Sequence, residues 1–182
     1  MSGDEAALVI NISNAFASNV MPAEAIHRES VVQFDSDVED ALWFSGRDWR
    51  EITVADWRDH MSAFTFMSNE AAAYYLPSLL ILSAQNPKES INSLDSLIYE
   101  LDCTPELGIR DERIRARFLG LPNEAYEAIK EWLLFMSENA PDLGYGTSGP
   151  GDRFGRIFEV IDLIQQESEA LNTIRNEDYC SG

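Results

Sequence analysis

The stretch NEAAAYYLPSLLILSAQN, residues Asn69–Asn86, is the most hydrophobic helix candidate in the chain and decides the fold class. Ser68 or Asn69 can cap its start, and Glu70 suits a first turn, where the helix dipole favours negative charge. Pro77 lies inside it. A proline there removes one backbone hydrogen bond, which predicts a kink or a restart near Leu76.

Helical spacing continues on both sides. Upstream, Thr53 followed by Asp56 reads as a capped start, with Trp57, Met61 and Phe64 behind it, a helix over about 54–63. Residues 4–18 place Ala7, Leu8, Ile12, Ala15 and Phe16 on one face. Pro22 opens a short helical segment with Glu24 in its first turn. FDSDVED, residues 34–40, reads as a solvated acidic loop running into a helix that holds Ala41, Leu42 and Phe44. Downstream, Ile91, Leu94, Leu97, Ile98 and Leu101 share a face, as do Ala125, Ile129, Trp132, Leu133 and Met136. PDLGYGTSGPGDRFG, from Pro141, is the clearest loop. Asp152 can cap a last helix reaching about Ala170, with Phe154, Ile157, Phe158, Ile161 and Ile164 inward.

These patterns predict a mainly α protein, a compact single-domain helical bundle of about six to eight helices over residues 1–182. It carries a Gly/Pro-rich loop at 141–152 and a frayed tail from about 172. Apolar runs at 8–12 and 31–34 leave room for one minor hairpin.

Charge narrows the partners. There are 32 Asp and Glu against 13 Lys and Arg, a formal net charge of −19. Such an excess repels phosphate backbones and anionic lipid and draws basic surfaces in, unless it serves only solubility. A basic protein is the expected partner, with no direct nucleic acid and no membrane. Leu76 to Leu82 falls far short of the roughly 20 apolar residues a bilayer span needs. The acidic N-terminus lacks the positive region of a secretory signal. Two cysteines, Cys103 and Cys180, make neither a disulfide framework nor a zinc site. A cytoplasmic monomer or dimer is expected.

Glu24 and His27 form one Glu-x-x-His pair, but His60 lacks the second half of a dimetal site. Asp56, Asp59 and His60 lie close together, as chance allows in so acidic a chain. Asp35, Asp37 and Glu39 lack the glycine of a calcium loop. Ser148 has no nucleophile-elbow frame, and Cys103 has no histidine nearby in sequence. The glycine loop has no Gly-Lys, although Arg153 and Arg156 could meet an anion at a helix start. Arg110, Arg113, Arg115 and Arg117 concentrate positive charge but are too few for a nucleic-acid surface, and should pair with Asp111, Glu112 or acids of another helix. No catalytic residue, cofactor or metal ligand is assigned, and the protein is not expected to be an enzyme. Paired carboxylates in a cleft remain the enzymatic alternative.

Trp43, Trp49 and Trp57 read as core or near-core anchors, and tryptophan is also a strong interface anchor. A partner-binding face is therefore placed at Asp35, Asp37, Glu39, Asp40, Trp43, Asp48, Asp56 and Asp59.

WREITVADWRDHMSAFTFMSNEAAAYYLPSLLILSA, with Trp49, Ile52, Phe64, Phe66, Tyr74, Tyr75, Leu76 and Pro77, resembles the central block of a family of small uncharacterised bacterial proteins with an aromatic-Tyr-Leu-Pro helix signature. LGLPNEAYEAIKEWLLFM, residues 119–136, is similar to that family's penultimate helix region. The resemblance covers 38–138 and carries no catalytic residue. It implies a narrow-purpose protein of the size and acidity of immunity proteins. The expected function is an acidic inhibitor or immunity protein that blocks a basic toxin, nuclease or other nucleic-acid-binding protein. The alternatives are a nucleic-acid mimic, an oligomeric scaffold and an acid-cleft enzyme.

Overall fold

In a computed structural model, residues 2–26, 35–140 and 153–180 are described, with the backbone alone for Asp35, Ser36 and 175–180. Among them are ten α-helices: α1 Gly3–Ala15, α2 Asp35–Trp43, α3 Val54–Asp59, α4 Ala63–Phe66, α5 Asn69–Gln85, α6 Asn92–Leu101, α7 Pro105–Gly108, α8 Glu112–Phe118, α9 Asn123–Asn139 and α10 Arg153–Cys180. A 3-10 turn, Trp49–Glu51, joins α2 to α3. The fold is all-α, with more helices than expected because the connections at α4 and α7 are themselves single helical turns.

The central element is α5. Packed against it are α1, α6, α8, α9 and the 3-10 turn, while α10 lies along α9. Tyr74, Tyr75, Leu76, Pro77, Leu79 and Leu80 are all buried, so the helix is enclosed on several sides. Trp57 of α3 donates to Ser78 Oγ at 3.1 Å and Trp132 of α9 to Ser83 Oγ at 3.0 Å. Two indoles thereby meet one helix without leaving a buried N–H unsatisfied, and burying each aromatic contributes on the order of 2 kcal/mol. Tyr75 sends its hydroxyl to the carbonyls of Phe44 and Arg47, pinning the end of α2, and burial pushes its phenol up to about 12. The Tyr-Tyr-Leu-Pro signature is thus core scaffolding.

Several expectations are corrected. The α5 helix does not restart at Leu76 but runs through Pro77. A proline at that position frees the carbonyl four residues earlier, and Asn19 Nδ2 supplies the missing donor to Ala73 O at 3.1 Å. The acidic 35–40 stretch is the start of α2, because carboxylates at a helix N-terminus favour helix over loop. Pro22 opens no helix; instead Ala25 O accepts from Ser68 N at 2.9 Å and Ile26 bridges Met67. The hairpin is excluded at its first half, since Leu8–Ile12 lies within α1, held by a Ser2–Glu5 capping box. The last helix continues past Ala170 to Cys180. The 141–152 loop and His27 lie outside the described residues.

Candidate functional site

The residues singled out from sequence fall into two groups. Asp37, Asp40 and Trp43 come together where α2 meets α4. Asp40 accepts from Ser62 N at 3.1 Å, Ser62 Oγ at 2.7 Å and His60 Nδ1 at 3.2 Å, and Ser62 Oγ also lies 3.3 Å from Asp37. Burial opposes ionisation of Asp40, but the Ser62 hydroxyl and amide, with His60, outweigh it and hold the carboxyl below its ordinary range. Trp43 stacks on His60 at 4.4 Å and carries the Arg47 guanidinium 3.7 Å from its ring centroid.

Two of the other acids placed on that face are tied to the backbone. Asp48 caps the 3-10 turn and holds Arg50; Asp56 closes a capping box with Thr53. Glu39 and Asp59 stay exposed, and no ion pair among the described residues holds them. Asp35 lies outside the described side chains. Of these other acids, Glu39 and Asp59 are thus the ones, among the described side chains, that neither a cap nor an ion pair holds. A second acidic line is Glu124, Glu131 and Glu138, exposed along α9 at a seven-residue spacing, about 10 Å apart. The spacing is legible in the sequence, but the apolar stripe of the same helix dominates its reading.

A cleft of about 860 Å³ opens elsewhere, between α6 and α8. One wall is Asp95, Ser96, Tyr99 and Glu100; the other is Asp111 and Arg113, with Thr65 and Arg153 at the ends. Beside it Arg117 and Glu100 form a buried ion pair at 2.5 Å, their side chains only 3% and 11% exposed. Burial raises the Glu100 carboxyl even against Arg117 and Arg113, and lowers the Arg117 guanidinium to about 10. Arg113 sits 3.5 Å from Glu100 and donates to Thr65 O at 2.9 Å. At the Arg153 end of the cleft, Asp102 holds Arg153 at 2.7 Å and Arg156 at 2.5 Å. Asp111 is the N-cap of α8, accepting from Arg113 N and Ile114 N.

The α8 arginines thus pair mainly with acids of other helices: Arg113 and Arg117 with Glu100 of α6, Arg115 with Glu167 of α10. Sequence reading missed the Asp95, Ser96 and Tyr99 face. Its signal was indirect, being the polar complement of the Leu94, Leu97, Ile98 and Leu101 stripe, all of which is buried. Cys103 is half-buried near the cleft, with burial and then Asp111 and Asp102 pushing its thiol up, against thiolate chemistry. No described helix is long and apolar enough to cross a membrane.

A family model, described as a family of unknown function (DUF6714), matches residues 7–145. The match spans α1 to α9 and contains both the Tyr-Tyr-Leu-Pro core and the cleft walls on α6 and α8. No curated protein and no solved structure matches the chain.

Proposed function

We propose that this chain, which belongs to the DUF6714 family, is an acidic binding protein that occludes a basic surface of a protein partner, as inhibitors and immunity proteins do. One observation carries the reading: the described cations are largely consumed inside the molecule. Arg50, Arg58, Arg113, Arg115, Arg117, Lys130, Arg153 and Arg156 each hold a carboxylate, and Arg47 lies on Trp43. The formal net charge is −19, and these pairings leave few described cations free to form a basic patch. A surface of that kind steers cationic proteins to itself and repels nucleic acid. The test is capture of a partner by the tagged chain, followed by association rates at two ionic strengths. A rate that falls steeply with salt supports steering; a flat rate removes it.

A second reading has a specific observation behind it. Asp95 and Glu100 both line the cleft with carboxyls raised by burial, as an acid–base pair would require. Against it, Glu100 is clamped by two arginines, and among the described residues neither Glu24, Asp56 nor His60 lines the cleft. If the cleft is catalytic, turnover of a substrate is abolished by Asp95→Asn with a pH–rate limb that disappears.

A further inference from the structure

Among the described residues, Asp95 is the carboxylate of the cleft wall that neither an ion pair nor a hydrogen bond satisfies. Glu100 is held by Arg117 and Arg113, and Asp111 caps α8. The cleft's own cations are spent as well, Arg113 on Glu100 and the Thr65 carbonyl, Arg153 on Asp102. The unmet charge is thus negative, on Asp95 and on the buried Glu100 Oε1, which accepts no hydrogen bond. One helical turn further along α6, on the same face, Tyr99 is 86% exposed at the cleft. An aromatic ring left in water beside an unpaired carboxylate is poorly explained by packing.

We propose that the α6–α8 cleft takes an arginine side chain of a protein partner, with Asp95 accepting from the guanidinium and Tyr99 covering its face. This rests on the binding-protein reading above and names its anchor. The planar fork of arginine matches a carboxylate in two parallel hydrogen bonds, and its weak hydration suits stacking on a phenol ring. An anionic ligand is disfavoured, because it would face Asp95, Glu100 and Asp111 while both cleft arginines are engaged. Burial raises the Asp95 carboxyl against the pull of Arg153, so a second cation at contact distance would relieve an existing cost. At about 860 Å³ the cleft also admits the residues on either side of the arginine.

The experiment is an amide-shift titration of the full chain with acetyl-Gly-Arg-Gly-amide and with its neutral citrulline counterpart. The arginine peptide should move Asp95, Ser96, Tyr99 and Arg113, and the citrulline peptide should not. Asp95→Asn and Tyr99→Ala should each weaken binding about fivefold, while Glu124→Gln on α9 leaves it unchanged. Shifts spread evenly over surface acids, equal binding of citrulline, or full affinity in Asp95→Asn would overturn the assignment. Tyr99 is exposed and Asp95 half-buried, and a thermal melt of each variant separates lost binding from lost fold. A basic partner held equally well by the Asp95→Asn, Tyr99→Ala double variant removes the anchor and spares the function. Peptide binding at Asp95 in a chain that captures no basic protein removes the function and spares the cleft's preference for guanidinium.

Discussion

The side-chain amide of Asn19 donates, at 3.1 Å, to the Ala73 carbonyl, the acceptor that Pro77 leaves without an N–H inside α5. A long-range side chain thus repairs a helix defect built into the sequence, letting the central helix stay continuous. Asn19→Ala leaves that carbonyl unsatisfied and should lower unfolding free energy by about 1 kcal/mol. In a Pro77→Ala background, where the backbone regains an N–H that can serve the Ala73 carbonyl, the same substitution should cost less. Urea denaturation of the four variants measures the coupling, and additive effects would show that the contact does not repair the defect.

Arg117 and Glu100 offer a sharper cycle. Each is nearly buried, so removing one strands the other's charge. Glu100→Leu or Arg117→Met should each cost about 3–5 kcal/mol, and the variant carrying both should lose much less than their sum. Equilibrium unfolding reads all three. A double variant as unstable as the sum of the singles would show that the two side chains do not act as a coupled pair.

Asp40 gives a pH signature. Its carboxyl titrates below the ordinary range in the folded state, so its contribution is fully present above the unfolded value of about 3.9 and is lost as pH falls through the folded value. The stability gap between wild type and Asp40→Ala should be about 1–3 kcal/mol at pH 7 and should shrink below about pH 4. A gap that stays constant down to pH 2 would show that the ionised form carries no advantage.

On the acidic face, Glu39 and Asp59 are exposed and not used as caps. Replacing both with lysine should slow association with a basic partner by about tenfold at low salt and leave dissociation nearly unchanged. Stopped-flow mixing separates the two rates. Asp48 and Asp56, by contrast, should show their effect in thermal melts, because they cap the 3-10 turn and α3.

The apolar periodicities of α6, α9 and α10, with the long capped apolar run of α5, made the all-α fold legible, since burial of one face at i, i+3 and i+4 leaves a pattern in the sequence. The capping box at Thr53 and Asp56 was legible for the same local reason. The continuity of α5 was not, because the donor that rescues it lies 54 residues away. Nor could the acids at Asp40, Asp48 and Asp56 be separated from free ones, since a carboxylate in a cap and one in solvent look alike in sequence. The cleft was hidden more deeply still. It depends on how α6 and α8 meet, and its telling residue, Tyr99, is marked by exposure rather than by any motif.

The central claim, that the unbalanced carboxylates serve one cationic protein partner, is tested most directly by capture on the tagged full chain from its native lysate, washed at low and at high salt, with the eluate weighed by native mass spectrometry. The account predicts a single basic protein, stoichiometric with the chain and retained at high salt. Diffuse basic proteins lost at modest salt, or no captured protein at all, would contradict it.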